Sequence, residues 1–245
     1  MKIVNRFRIF IVLVLPVTIF FISASKHEND DDRFITYEVN PRKSDLRLYW
    51  KNDSNTNFRS IQNLKSWLEN HHQTLVFAMN AGMYKQDNSP LGLYVENKKR
   101  FSPLNKASAN GNFYLKPNGV FYITTDNIPI ISETAKFVDN GKIKYATQSG
   151  PMLVIDGKIH PAFKQGSMNV NIRNGVGILP NNDAVFIMSK KEINFYDFAA
   201  YFLSLGCKNA LYLDGFVSRT YLPEKNWAQT GGDFGVIIGV TKPSN

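Results

Sequence analysis

Cysteine is almost absent from this chain and histidine is scarce. The one cysteine, Cys207, excludes an internal disulfide and an all-cysteine zinc site. The four histidines, His27, His71, His72 and His160, nowhere form the His-Glu-x-x-His spacing of a zincin-type metal site. No Gly-x-Ser-x-Gly elbow occurs, which argues against an α/β-hydrolase serine nucleophile. A Walker-type loop is missing, and Gly175-Val-Gly177 runs into Ile-Leu-Pro without the third glycine or the helix that phosphate cradling needs. Cys207 reads as a small buried hydrophobe past a helix end. The pair His71-His72 reads as cations suited to a helix C-terminus.

Long apolar runs are also lacking. The longest, Ile9 to Ile22, is shorter than the roughly 20 residues that span a bilayer comfortably and contains Pro16. It follows Lys2, Arg6 and Arg8 and precedes the small residues Ser23-Ala24-Ser25, the order of a secretory signal peptide. Residues 1–25 are therefore expected to be a signal peptide or an uncleaved N-terminal anchor, with residues 9–22 as the membrane tether. No cysteine near that point would take a lipoprotein anchor. The charged stretch 26–33 reads as a solvated tether, and residues 34–245 as one domain. The chain of 245 residues carries 29 Lys+Arg against 20 Asp+Glu, and three of those basic residues belong to the targeting segment. The protein is expected to be exported, periplasmic or extracellular, where phosphates and glycans of the envelope, and not nucleic acid, are the partners at hand.

At 43% hydrophobic and 20% charged, the composition is globular. Leu46, Leu48 and Trp50 alternate with polar residues as in a half-buried strand. Ser60 is placed to cap a helix with Ile61, Leu64, Trp67 and Leu68 on one face, and Asn194 to cap one with Phe195, Phe198, Ala199, Phe202 and Leu203, stopped by Gly206. Strands are expected at Leu75 to Met79, Val176 to Leu179, Ala210 to Leu213 and Phe234 to Val240, the last apolar almost throughout and so central. Pro117-Asn-Gly119, Asp139-Asn-Gly141 and Asp156-Gly157 read as turns of an antiparallel meander. Few helices among many strands predict an α+β fold with mixed, largely antiparallel sheets and a few packed helices.

Several polar turns end apolar strands. Asn80-Ala-Gly82 and Gln148-Ser-Gly-Pro151 are each a turn or a site edge. Arg173, between Asn171 and Asn174-Gly, is a surface charge or a fork able to donate two hydrogen bonds to a phosphodiester. Asp214-Gly215 follows a buried strand and is a turn or a presented carboxylate. Turn chemistry explains Asp233 and Asp156. Tyr84, Tyr94, Tyr196 and Tyr212 suit sugar stacking and core packing equally.

Taken together, Asn80-Ala-Gly-Met-Tyr84, Gln148-Ser-Gly-Pro-Met152, Asn171-Ile-Arg173 with Gly175 and Gly177, Ile193-Asn-Phe-Tyr-Asp-Phe198 and Asn209-Ala-Leu-Tyr-Leu-Asp-Gly215 with Ser218 resemble the phosphodiester glycosidase family, in its order, over about Phe77 to Val240. Within it the chain is similar to short exported bacterial members. The resemblance implies a hydrolase acting on a phosphorylated glycan or sugar-1-phosphodiester. It implies Asp214 and Arg173 as catalytic residues and Asn80, Gly82, Ser149, Gly150, Gly215 and Ser218 as substrate-binding ones. No cofactor is called for, although aspartate, asparagine and main-chain carbonyls bind Ca²⁺ without any spacing signature. One departure stands out: the family's Asp-Gly-Gly-Gly-Ser is here Asp214-Gly-Phe-Val-Ser218. Phe216 and Val217 are expected to resist glycine-only backbone angles and to shrink or reshape the pocket. Two rivals stay open: a non-catalytic envelope glycan-binding or polysaccharide assembly factor, which that departure slightly favours, and a phosphodiesterase cutting the phosphorus–oxygen bond, usually metal-assisted.

Overall fold

Short alternating runs, rather than long helical ones, dominate the sequence, and they fold accordingly. The computed structural model describes residues 32–214 and 216–244. The export segment, most of the tether and Gly215 lie outside the described residues. The chain opens with β1 (Phe34–Val39), β2 (Asp45–Tyr49), α1 (Ile61–Asn70), β3 (Gln73–Asn80), β4 (Tyr94–Glu96) and β5 (Lys99–Ser102). It continues with β6 (Gly119–Thr124), β7 (Pro129–Glu133), β8 (Ile143–Ser149), β9 (Met152–Ile155), β10 (Lys158–Ile159), β11 (Asn174–Ile178) and β12 (Ala184–Ser189). It closes with α2 (Phe195–Ser204), β13 (Ala210–Asp214), β14 (Thr220–Leu222), β15 (Trp227–Ala228) and β16 (Ile237–Pro243).

Three sheets result, ordered β1-β12-β11-β13-β9-β10, β15-β14-β3-β16-β2 and β5-β4-β8-β6-β7. Among the described residues every strand pairing is antiparallel, which makes an α+β fold. No helix of the described residues is long and apolar enough to cross a membrane. One face of each sheet meets in a shared core that includes Leu48, Phe77 and Ile238, Phe121 and Tyr94, and Phe186, Val176 and Leu213. Full burial of side chains of this size contributes about 1.5–3 kcal/mol each, so the three sheets are clamped where they converge. The outer face of the first sheet takes α2 through Phe198 and Phe202, and that of the second takes α1 through Ile61, Leu64 and Leu68.

Both helices start where their caps predict. Ser60 Oγ accepts from the Asn63 N–H at 3.1 Å, and Asn194 Oδ1 from the Asp197 N–H at 2.9 Å. Gly206, at φ 81°, follows α2 in the left-handed conformation that ends helices. The strand from Phe234 is central, as its apolar run predicts, although pairing begins only at Ile237, between β3 and β2.

The hairpin reading of the middle holds in part. Asp156 and Gly157, both at positive φ (47° and 77°), join β9 to β10. Pro117-Asn-Gly119, by contrast, is no hairpin. It leads from a 3₁₀ turn at Asn112–Tyr114 into β6, with Asn118 buried and its Nδ2 donating to the Phe113 carbonyl at 2.8 Å. Nor does the turn at Asp139-Asn-Gly141 join paired neighbours, since β7 and β8 each pair with β6. The β4–β5 hairpin turns on Asn97 and Lys98, at φ 48° and 67°, with no glycine to announce it.

Candidate functional site

Strands from all three sheets end at one polar junction. β3 ends on Asn80, β8 on Ser149 and β13 on Asp214, while β11 begins at Asn174, opposite Asp214 in the ladder. The Asn174 amide ties this junction together. Its Nδ2 donates to the Asn80 carbonyl and to Asn80 Oδ1, both at 2.9 Å, and its Oδ1 accepts from the Asp214 N–H at 2.8 Å. Ser149 Oγ adds the third sheet by donating to the Leu213 carbonyl at 2.7 Å. Ser218 Oγ donates to the Asp214 carbonyl at 2.8 Å and so closes the turn that follows.

Asn80 is left with a directed donor. Its Oδ1 takes both Asn174 Nδ2 and the Arg219 N–H at 2.9 Å, which fixes the amide's orientation. The opposite Nδ2 is buried and has no hydrogen-bond partner among the described residues. A buried amide N–H₂ without an acceptor is uncommon in a folded protein and is a ready donor to a ligand oxygen. Asp214 is 9% exposed. Asp214 lies near enough to Tyr212, which packs in the cluster under α2, for its charge to add to the burial that raises that phenol's pKa, against the opposing charge of Arg173. Tyr84, whose hydroxyl donates to the Asp233 carbonyl at 2.7 Å, has its phenol pushed up to about 12 by burial, with the charges of Asp214 and Asp233 adding to the shift.

Arg173 lies beside this junction with its side chain fully enclosed. The guanidinium stacks 3.6 Å from the centre of the Phe195 ring. Its Nε donates to the Ile193 carbonyl at 2.8 Å, Nη1 to the Tyr212 hydroxyl at 3.3 Å, and Nη2 to both the carbonyl and Oδ1 of Asn169, at 2.8 and 3.1 Å. All four acceptors are neutral. Burial lowers the guanidinium's pKa, and Tyr212 partly offsets that.

The remaining residues divide by what they touch. A Cβ on Gly82 would lie 2.3 Å from Thr147 Oγ1 and 2.6 Å from the Gln148 carbonyl, so glycine lets the loop after β3 lie directly on β8. Gly150 is packed as closely, with a Cβ there 2.6 Å from Asn118 Cβ and 2.8 Å from the Phe113 carbonyl. Gln148 is saturated: Oε1 accepts from the N–H groups of Leu93 and Asn105, and Nε2 donates to the Asn105 carbonyl and Thr134 Oγ1. Asp233 pairs with Arg59 at 2.7 and 2.9 Å, and that hydrogen-bonded cation holds its carboxyl below the usual range. The Cys207 thiol is buried and pushed up to about 12 by desolvation, which leaves it protonated. Among the described residues no three His, Cys, Asp or Glu side chains cluster as a metal site. Tyr94 and Tyr212 are core residues.

The expectation for Phe216 and Val217 needs correcting. Neither is among the described residues with positive φ, so neither is forced into a glycine conformation. Phe216 is 93% exposed and does not fill the pocket, while Val217 packs with the cluster on α1. The residues that motif spacing did not single out are Asn174 and Asn169. The Asn174-Gly175 pair looks like turn chemistry. In the structure it is the irregularity between Asn174 and Gly175 in the β11–β13 ladder, which turns the amide into the junction.

Three antiparallel sheets meet at an asparagine–aspartate junction beside an enclosed arginine. The chain belongs to the phosphodiester glycosidase family, whose sequence pattern matches residues 73–240 and so spans β3 through most of β16. It is 37% identical over 221 residues to the uncharacterized protein YigE of Escherichia coli strain K12, covering 89% of this chain and 86% of that one. Its fold is similar to the catalytic domain of zebrafish N-acetylglucosamine-1-phosphodiester alpha-N-acetylglucosaminidase, auto-inhibited by its pro-peptide, with TM-score 0.58 and 12% identity over 89% of this chain and 86% of that one. A hypothetical protein from Synechocystis is similar with TM-score 0.55 and 14% identity, over 85% of this chain and 59% of its own.

Proposed function

We infer that this protein hydrolyses a sugar-1-phosphodiester at the anomeric carbon, in the cell envelope, and releases free sugar. The observation that carries the reading is that one carboxylate and one enclosed guanidinium both act on Tyr212. Arg173 donates to the Tyr212 hydroxyl, and burial raises that phenol's pKa while the charges of Arg173 and Asp214 pull it in opposite directions. A phosphate ester leaving the anomeric carbon is already a weak base, so the second carboxylic acid that ordinary glycosides need is dispensable. Water oxygen bonds to the anomeric carbon while the carbon–oxygen bond to phosphate breaks, its electron pair remaining on the phosphate. Asp214 takes the water proton or faces the positive charge of the oxocarbenium-like transition state, and Arg173 offsets the negative charge gathering on the phosphate. The unpartnered Nδ2 of Asn80 donates to a sugar hydroxyl or phosphate oxygen. The Phe216-Val217 replacement slightly favoured the glycan-binding alternative, and the exposure of Phe216 weakens that one argument for it. Export is directed by residues 1–25.

The test is a panel of sugar-1-phosphodiesters in ¹⁸O-labelled water, followed for reducing sugar, with Asp214→Asn alongside. Label in the sugar, by the wild type only, is the expected result. Label in the phosphate identifies phosphorus–oxygen cleavage instead, and release of no sugar from any member overturns the glycosidase.

A further inference from the structure

The chemistry of Arg173 raises a problem that its four hydrogen bonds do not solve. Among the described residues no ion pair includes it. An enclosed cation held by neutral oxygens and the faces of Phe195 and Tyr212 is costly, because desolvation is compensated far better by an anion than by dipoles and rings. A guanidinium has five N–H donors, and with Nε, one Nη1 hydrogen and both Nη2 hydrogens engaged, the second Nη1 hydrogen has no partner among the described residues.

The partners of Arg173 are not equally fixed. Tyr212 and Phe195 are core residues, and Ile193 is half-buried. Asn169 is exposed, and it supplies both oxygens on Nη2. It belongs to a strap, residues 164–170, that is exposed except at half-buried Ser167 and includes Met168 at 89%. The strap is anchored outside its ends. Phe163 stacks on Phe195 at 4.9 Å and on His160 at 4.7 Å, and Asn171 pairs with Ile193 through both backbone groups, at 2.9 and 3.2 Å. Between the anchors its own bonds are local, from Ser167 to Lys164, Asn169 to Ser167 and Val170 to Met168. Solvent therefore reaches Asn169, the residue that covers the guanidinium on this side.

We propose that Asn169 is a displaceable stand-in for phosphate: its two oxygens occupy the Arg173 fork in the free protein, and the phosphoryl group of the substrate takes the fork by lifting the strap. A phosphoryl group brings two oxygens, as Asn169 does, and adds the negative charge that Asn169 lacks, so it matches the planar fork better and fills the vacant Nη1 hydrogen. Asn169 competes with the ligand, so apparent affinity is the intrinsic affinity reduced by the fraction of molecules whose fork is free. This inference rests on the phosphodiester glycosidase reading of the same site.

Two substitutions at this exposed position push in opposite directions. Asn169→Ala removes Oδ1, leaves only the main-chain carbonyl on Nη2 and loosens the strap's hold on the fork, so it is expected to tighten inorganic phosphate binding about tenfold by calorimetry on the full-length chain, with a matching fall in KM for any cleaved diester. Asn169→Asp installs an internal anion and is expected to weaken phosphate at least tenfold. A third readout is tryptic cleavage after Lys164, which phosphate is expected to accelerate in the wild type as the strap lifts. Phosphate affinities within twofold of wild type in both variants, shifts in the same direction, or a strap that phosphate protects from trypsin would overturn the proposal. Opposite shifts without release of sugar from any diester leave this inference standing and remove the glycosidase. Sugar release with unmoved affinities does the reverse.

Discussion

The two walls of the site are built differently. The strand-end wall, Asn80, Ser149, Asn174 and Asp214, is buried and cross-linked between sheets, with Asn174 alone making three hydrogen bonds to two strands. The loop wall, formed by the strap at 164–170, the turn at Phe216 and the loop at 231–233, is mostly exposed, with its last part tied down by Asp233 to Arg59, Asn88 and Tyr84. The difference teaches where each task belongs. A charge that must not move at the reaction centre is set on strand ends locked by a core, whereas what must admit a ligand rides on loops.

The comparison is sharpest at Asp214. Asp214→Asn is expected to lower kcat by about 10²–10⁴, with an unchanged circular dichroism spectrum. A variant that keeps full turnover would move the chemistry off the strand-end wall. Next is a matched pair of asparagines. Asn174→Ala strands the Asp214 N–H and the Asn80 carbonyl and is expected to cost about 2–4 kcal/mol in urea unfolding. Asn169→Ala, on the loop wall, is expected to stay within about 1 kcal/mol, because water replaces the lost acceptor. Equal costs would dissolve the distinction between the walls.

Glycines offer a smaller contrast. Gly82→Ala places a methyl against the Gln148 carbonyl and Thr147 and is expected to cost about 1–3 kcal/mol. Gly231→Ala meets nothing within 4 Å and is expected within about 0.5 kcal/mol. A pH scan tests the root of the strap. Burial holds His160 below its ordinary value of 6.5, with the Lys116 carbonyl partly opposing that. As pH falls below 6.5 the unfolded chain takes the proton first, so stability present above that pH is lost as pH drops through the folded value. His160→Gln is expected to flatten that slope in thermal melts between pH 7 and 5. The smallest effect belongs to Phe216→Gly, expected within about 0.5 kcal/mol of wild type because the ring is 93% exposed. A large loss of stability or a rise in turnover would show that the ring does shape the pocket.

Much of the fold is legible locally. Ser60 and Asn194 cap helices, Gly206 ends one and Asp156-Gly157 turns a hairpin because each effect lies within a few residues of chain. Asn97-Lys98 escaped that logic, since asparagine and lysine take positive φ there without glycine, and Pro117-Asn-Gly119 misled it, since Asn118 is consumed by the Phe113 carbonyl. The site was legible as a set of residue types. Asn80, Ser149, Arg173, Asp214 and Ser218 do gather at or beside one junction, but their partners come from |i−j| separations such as 94 between Asn80 and Asn174 and 64 between Ser149 and Leu213.

What the sequence by itself determined is therefore the class of structure and the inventory: helix ends, buried strands, and the polar residues set at their ends. Only the tertiary structure decided which of them hold one another. It made Gly82 and Gly150 close-packing positions, turned Phe216 outward, made Asn174 the knot between two sheets and sealed Arg173 beneath Asn169. The reason is physical. Caps and turns are settled by bonds to near neighbours in the chain, whereas the orientation of a buried amide or guanidinium is settled by whichever donors and acceptors other strands bring to it, and no local pattern encodes those.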